Sequence, residues 1–394
     1  MTNHNYRFIS LFSGIGGFEV GLFRAAEAAS SSTTQLECLA FSEINQDAID
    51  VYCARHPQWA TKNVGDVRNL TSERVMELQP NLVFGGFPCT NLSSAARIHE
   101  NGNSDGIQQE DSTSNGSNLF FEFLRILRAA ITSNASMKFI IENVASMSKV
   151  RRDEITSILC VDIDQSARCT LIRGENHGPQ ARNRYFWTNF DVEPAVVAQT
   201  SSSFRTILQP IELSLNKQLT ENGVLRRMNH VMHTTLKKPH TQASAAAALH
   251  AIQAVRVPES DQGELRAYKF ENQEIPPFLA MLPQSCRSRW ETYEHHDSAK
   301  PCSRTCPASM HLNGPYSILV DRRPFGDAEN LFVVRQMTAI EVERLFGLPD
   351  DYTNVRRNGG SGRQLGWGPR VHLCGNSVCT ASVQYIFSQL MRNG

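Results

Sequence analysis

Residues 6–17 read YRFISLFSGIGG, a short apolar run that breaks into a turn carrying Gly14, Gly16 and Gly17. An apolar run of this length bounded by glycine reads as a buried strand. The Ala-, Glu- and Leu-rich segment from Phe18 to Ala29 reads as a helix. The unit is therefore strand, glycine turn, helix, and the chain repeats it. Leu36 to Glu43 is a second strand, Asn45 to Arg55 a helix, Asn81 to Phe84 a third strand and Lys138 to Glu142 a fourth. Between the last two, NLFFEFLRILRAAITS sets Leu119, Phe120, Phe123, Leu124, Leu127 and Ile131 on one helical face. Alternation of this kind predicts an α/β fold with a mainly parallel sheet and helices on both faces. Ligands of such sheets bind beyond the carboxyl ends of the strands. The residues at those ends are the SGIGG turn, Glu43, Cys89 and Glu142.

Composition excludes more than it identifies. Lys plus Arg equals Asp plus Glu at 39 each, so a surface for a polyanion must be a local patch. No apolar run approaches the roughly 20 residues of a membrane helix, and MTNHNYRFIS lacks the order of a signal peptide. The expectation is a soluble intracellular protein without a membrane partner. Ten cysteines scattered over 394 residues read as free thiols, not as a disulfide framework.

The glycine turn is not GxGxxG, the spacing that aims a helix at a pyrophosphate, and so fits a less charged nucleotide-like ligand. Glu43 stands where a carboxylate can bind ribose hydroxyls. Asp66 in GDVRNL can accept from an adenine amino group or cap the following turn. Cys89, in GGFPCTNLS, lies at a strand-to-turn junction, where a thiol is open enough to react as thiolate; a small buried hydrophobe is its other reading. Its company favours chemistry: Glu142 ends another strand, and Arg182 and Arg184 in QARNRYFW begin a third. A thiol, a carboxyl group and two guanidiniums can attack, protonate and stabilise charge.

In family order, FSGIGG, SEIN, GDV, GGFPCTNLS, ENV, QARNRYFW, RQMTAIEVERLFGLPDDYT and LCGNSV make the chain resemble the DNA cytosine-5 methyltransferases. NLFFEFLRIL, ENVASM and RNRYFW are most similar to the eukaryotic de novo branch, while GGFP and the compact length are also bacterial features. Thr90 departs from the glutamine or asparagine that usually follows the nucleophile. The resemblance implies a Rossmann-like sheet that binds S-adenosyl-L-methionine. It implies Cys89 as nucleophile, Glu142 on the Watson–Crick edge of a flipped cytosine, and Arg182 and Arg184 holding that base and carboxylate. It assigns the cofactor to Phe12, Ser13, Gly14, Ile15, Gly16, Gly17, Glu43, Ile44, Asp66, Val67, Pro88, Leu92, Asn376, Ser377 and Val378. It further implies double-stranded DNA as partner, with tRNA as an alternative substrate and an inactive regulator as a third reading. The compartment would be the nucleus in a eukaryote and the cytoplasm otherwise. No protein partner is legible.

From Thr188 to Val334 the alternation fades. Residues 1–187 and 335–394 are expected to form the catalytic domain, and residues 188–334 an irregular target-recognition lobe. Arg205, Lys217, Arg226, Arg227, Lys237 and Lys238 outnumber Glu212 and Glu221 in its first part, which suits phosphate contacts. Cys286, His295, His296, Cys302, Cys306 and His311 lack a second cysteine pair at finger spacing, so no metal is expected. The polar stretch from Asn101 to Asn118 reads as a lid. Thr338 and Glu341 form a capping box before a helix that Gly347 and Pro349 stop.

Overall fold

Period-two alternation in the N-terminal run divides its side chains between two cores. The computed structural model describes residues 5–29, 34–88, 118–194, 204–208, 253–254, 267–271, 296–297, 303–306, 318–321 and 331–393. Within β1 (Asn5–Leu11), Ile9 and Leu11 enter one core while Tyr6 and Phe8 enter the other. The same division recurs in β3 (Leu82–Gly86), with Val83 against Leu82 and Phe84. It recurs in β4 (Lys138–Val144), with Phe139 and Ile141 against Ile140. A strand buried on both faces needs helices on both sides, and the chain supplies them.

On one face lies α4 (Asn118–Ser133), which buries Phe120, Phe123, Leu124 and Leu127, while Leu119 and Ile131 pack half-buried at the margin. Four such side chains at about 2 kcal/mol each contribute on the order of 8 kcal/mol. On the other face, α1 (Gly17–Ala28) and the C-terminal α8 (Thr380–Asn393) bring Phe18, Leu22, Val383, Ile386 and Phe387 against Phe8 and Phe84. The last helix thus completes a sheet begun at residue 5.

The main sheet has the order β2-β1-β3-β4-β7-β5. β2 (Gln35–Ser42), β1, β3 and β4 are parallel; β7 (Arg184–Thr188) runs antiparallel to β4 and to β5 (Arg168–Ile172). This is the predicted α/β, Rossmann-like sheet with helices on both faces. Register brings the functional ends level: Leu11 pairs with Gly85, and Gly86 with Glu142. α2 (Gln46–Arg55), α3 (Ser72–Leu78) and α5 (Lys149–Asp162) complete this part.

A third core joins α2 to the returning chain. It holds Ile15, Val51, Phe204, Ile207, Val342 and Tyr352, with α6 (Ala339–Leu345) and α7 (Trp367–Asn376). α6 begins with the expected capping box: Thr338 Oγ1 accepts from Glu341 N at 3.0 Å, and Thr338 N donates to Glu341 Oε2 at 2.9 Å. Phe190 and Val192 also pack on the main sheet.

With β8 (Gln253–Ala254) and β10 (His296–Asp297), the described residues beyond it form a second sheet in the order β10-β12-β13-β9-β8. Its longest members, β9 (Ala267–Glu271), β12 (Ile318–Asp321) and β13 (Leu331–Gln336), pair antiparallel. Residues 303–304 form β11 and pair with β6 (Gln180–Ala181), close to the candidate site. Among the described residues no helix is long and apolar enough to cross a membrane. None of the seven cysteines among them is in a disulfide.

Candidate active site

The carboxyl edge of the sheet carries two groupings, one built from backbone and one from charge. At the first, Phe12, Gly14 and Gly16 take φ of 53°, 55° and 85°, a left-handed sequence that favours glycine. Ser13 N donates to the Ser42 carbonyl at 3.0 Å, and Ser13 Oγ to the Ser10 carbonyl at 3.0 Å. Glu43 fastens the turn from the neighbouring strand end. Its Oε2 accepts from Gly14 N at 2.9 Å, and its Oε1 accepts from Ile44 N and Asn45 N at 2.9 and 2.8 Å.

That carboxylate has about four acceptor positions, and three are used here, so one remains for a ribose hydroxyl. Ile44 beside it is 74% exposed, an apolar face with nothing covering it. A Cβ on Gly14 would meet nothing within 4 Å, so the space over the turn is open. A Cβ on Gly17 would stand 2.5 Å from Ser377 Oγ and 3.0 Å from Val378 Cγ2. The turn is thus closed by the GNSV segment on one side and open on another. This donor set fits S-adenosylmethionine: a ribose acceptor, an apolar lip and a glycine cradle without cationic side chains.

The remaining expected cofactor residues divide. Ser377 and Val378 are buried against the turn, whereas Asn376 is exposed and shares a 3.2 Å hydrogen bond with His372 Nε2. Asp66 caps the short turn 67–69 by accepting from Arg68 N at 2.9 Å, and pairs with Arg68 Nη1 at 3.0 Å. Its capping reading therefore holds, and Val67 is buried beside it. Asn63, which sequence reasoning missed, ties this loop to β2: its Oδ1 accepts from Glu43 N and Gly65 N at 3.2 and 3.0 Å.

At the second grouping, Glu142 Oε1 pairs with Arg184 Nε at 2.8 Å, both side chains largely shielded. Glu142 lies opposite Gly86 in the ladder, and a Cβ on Gly86 would stand 2.7 Å from Glu142 Oε2. The second glycine of GGFPC thus makes room for the carboxylate. The next carbonyl, that of Phe87, accepts from the buried Asn143 Nδ2 at 3.1 Å. Asn143, the middle residue of ENV, is a second residue that sequence reasoning passed over. Pro88 is exposed.

Arg182 is placed differently from Arg184. It is buried and spends its guanidinium on backbone: Nη1 donates to the Cys306 carbonyl at 3.0 Å, and Nη2 to those of Gly375 and Ser377 at 2.9 Å each. Burial, with the charge of Arg184, lowers it to about 10. Arg182 thus ties residue 306 to the GNSV segment, while Arg184 alone of the two pairs with the carboxylate. Burial also pushes the Cys306 thiol up to about 12 and that of Cys379 upward.

Cys89, Thr90, Leu92, the polar stretch expected to be a lid, the lysines and arginines from Lys217 to Lys238, and Cys286, His295, Cys302 and His311 lie outside the described residues, as does the Arg205 side chain. Among the described residues, no group of His, Cys, Asp and Glu could hold a metal ion.

Fold and edge define a class: a Rossmann-like protein with a glycine turn and an acid–guanidinium pair on neighbouring strand ends. The chain belongs to the C-5 cytosine-specific DNA methylase family, whose profile matches residues 6–392. It is 32% identical over 134 residues to the DNA (cytosine-5)-methyltransferase DRM1A of Oryza sativa subsp. japonica, covering 33% of this chain and 26% of that one. It is 30% identical over 141 residues to the type II methyltransferase M.BanI of Aneurinibacillus aneurinilyticus, covering 36% and 27%. The matches thus span about a quarter of those relatives. Among solved structures, the Entamoeba histolytica methyltransferase EhMeth superposes with a TM-score of 0.57 at 15% identity, covering 100% of this chain and 98% of that one. The S. pombe Dnmt2 methyltransferase follows at 0.54 and 17%, covering 98% of each. These two likenesses concern the fold.

Proposed function

We propose that the protein transfers a methyl group from S-adenosyl-L-methionine to C5 of a cytosine flipped out of double-stranded DNA. The observation that carries this reading is the Glu142–Arg184 pair set over Gly86, three residues before Cys89 and one strand from the glycine turn. Three residues of chain span at most about 10 Å, so chain connectivity is compatible with a nucleophile at position 89 acting on a base held by Glu142.

C5 of cytosine is a poor nucleophile until the ring is activated. Cys89 attacks as thiolate: a C6–S bond forms and the electron pair of the C5–C6 double bond moves toward N3 and C5. Glu142, as a carboxylic acid, hydrogen-bonds the Watson–Crick edge, passes its proton to N3 as charge arrives there, and takes it back when the adduct collapses. Arg184 holds the Glu142 carboxyl group in that orientation. When bound, S-adenosylmethionine would supply an electrophilic methyl group to C5, its S–CH3 bond breaking as S-adenosylhomocysteine leaves. A base then removes the C5 proton, the C6–S bond breaks, and the thiol leaves. Phe12 to Gly17, Glu43 and Ile44 hold the cofactor, with Ser377 and Val378 closing the glycine side. Residues 188–334 read the target, their basic first part contacting phosphates. The substrate lies in the nucleus of a eukaryote or in the cytoplasm of a bacterium.

The test is methyl incorporation from labelled S-adenosylmethionine into unmethylated duplex DNA and into bulk tRNA. Incorporation into DNA is expected. Label in tRNA alone would move the substrate to RNA, and label in neither would overturn the reading. A 5-fluorocytosine duplex should trap Cys89 as an adduct stable to denaturing gels.

A further inference from the structure

The turn assigned to the cofactor rests on two side chains that lie far from it in sequence. Tyr352 Oη donates to the Ile15 carbonyl at 2.9 Å, and His56 Nε2 lies 3.5 Å from the same hydroxyl. Both side chains are buried. A Cβ on Gly16 would stand 2.7 Å from His56 Nε2 and 3.3 Å from Tyr352 Oη, so the pair touches the turn directly from beneath.

Each member is held in place by its own neighbours. The His56 ring stacks on Phe23 and Trp59, with centroids 5.7 and 5.3 Å away. Arg55 lies 5.4 Å from the Tyr352 ring centroid, and its Nε donates to the Tyr352 carbonyl at 2.7 Å. Burial and the charge of Arg55 bring His56 down to about 4, so the imidazole is neutral near pH 7 and adds no charge beneath the turn.

The hydrogen bond to Ile15 acts on a backbone that has other choices. Gly16 on the following peptide is in the left-handed region and tolerates more than one orientation of the plane before it. Gly14 N is bound to Glu43 and Gly16 N to the Ser13 carbonyl. The Ile15 carbonyl is turned into the protein, where leaving it unpaired is costly. Tyr352 supplies its partner and fixes the plane.

We infer that Tyr352, backed by His56, is a positioning residue for the cofactor: it sets the Ile15–Gly16 peptide and through it the turn that receives S-adenosylmethionine. The inference rests on the methyltransferase reading for the identity of the ligand, but not for the contact. It makes the cofactor affinity of the N-terminal turn depend on a hydroxyl 337 residues away.

Tyr352→Phe keeps the ring and removes only the hydroxyl. In the full chain, calorimetry should show S-adenosylmethionine and S-adenosylhomocysteine binding roughly tenfold more weakly. KM for S-adenosylmethionine should rise by the same factor, with kcat and KM for DNA little changed. Hydrogen exchange without ligand should quicken in the peptide spanning residues 12–22. Thr353→Val is the structural control, because Thr353 bonds the buried Glu343 carboxylate and not the turn; it should lower Tm and leave affinity unchanged. Affinity and exchange in Tyr352→Phe equal to wild type would overturn the inference, as would an equal loss of affinity in Thr353→Val. If wild type binds neither nucleoside, the cofactor reading fails, and exchange over residues 12–22 still decides whether Tyr352 holds the turn.

Discussion

The two ends of the site are built from different materials. At the end proposed to hold the cofactor, the contacts involve backbone: Gly14 N on Glu43, the Ile15 carbonyl on Tyr352, Gly17 pressed against Ser377. At the end proposed to hold the base they are made by charge, Glu142 on Arg184, with glycine serving only to leave space. A site made of backbone is damaged by adding atoms, because its shape is the binding element. One made of charge is damaged by removing it, because the surroundings keep their form and lose their chemistry.

Substitutions that subtract at the base end should therefore have the largest effects. Cys89→Ser should reduce methyl transfer to background in a labelled-methyl assay while leaving S-adenosylmethionine affinity within about twofold of wild type, since no C6–S bond forms at a useful rate. Glu142→Gln preserves shape and removes the charge that Arg184 pairs with. It should lower kcat by about a hundred- to ten-thousand-fold with little change in cofactor affinity. If Glu142→Gln instead raised only the KM for S-adenosylmethionine, the division between the ends would be wrong.

Adding one carbon at the cofactor end should act in the opposite sense. Gly17→Ala places a methyl 2.5 Å from the buried Ser377 Oγ and 3.0 Å from Val378 Cγ2, so the GNSV segment has to shift. Overpacking of this kind costs about 1–3 kcal/mol. Titration should show cofactor binding weaker by roughly tenfold, with turnover at saturating cofactor largely retained. Equal losses of affinity and kcat would show that the two ends are not separable.

The legible part of this molecule was its short-range part. Glycine, short apolar runs and the face of α4 act within a few residues, so the parallel strands, their helices and the Thr338 cap could be read directly. Pairings across the chain leave no such trace. Nothing local in RYFWT says that β7 runs antiparallel to β4, and nothing in Asn143 or Asn63 announces that they bind loop backbone. The two arginines of QARNR looked equivalent because residues two apart share a face of a regular strand. Arg182, however, lies in the link between β6 and β7 and turns to the carbonyls of residues 306, 375 and 377. His56 and Tyr352 escaped notice for the same reason, since they meet only when the C-terminal segment folds back onto α2.

The smallest effect on turnover is expected beneath the cofactor end, at Glu19 in the first turn of α1. Its carboxyl is 1% exposed, and burial raises it from 4.5 to about 7; the hydrogen bond from Tyr52 Oη pulls the other way without offsetting it, and Glu19 Oε2 has no partner among the described residues. Cys38 and Tyr352 also face it, and burial first, then its charge, raises both. A group raised in the folded state stabilises the protein fully below its unfolded value and loses that contribution as pH climbs through the folded one. Stability should therefore fall between about pH 4.5 and pH 7, by up to about 3 kcal/mol, and level off above. Glu19→Gln keeps an acceptor for Tyr52 Oη, which donates to Glu19 at 3.0 Å, and removes the ionisation. Urea unfolding should show the variant gaining on wild type as pH rises from 5 to 8, with kcat and cofactor affinity unchanged at pH 7. A variant equal to wild type at every pH would mean that water or a shift of Tyr52 already relieves the carboxylate. A variant that lost cofactor affinity would extend the support of the turn from Tyr352 to the helix that follows it.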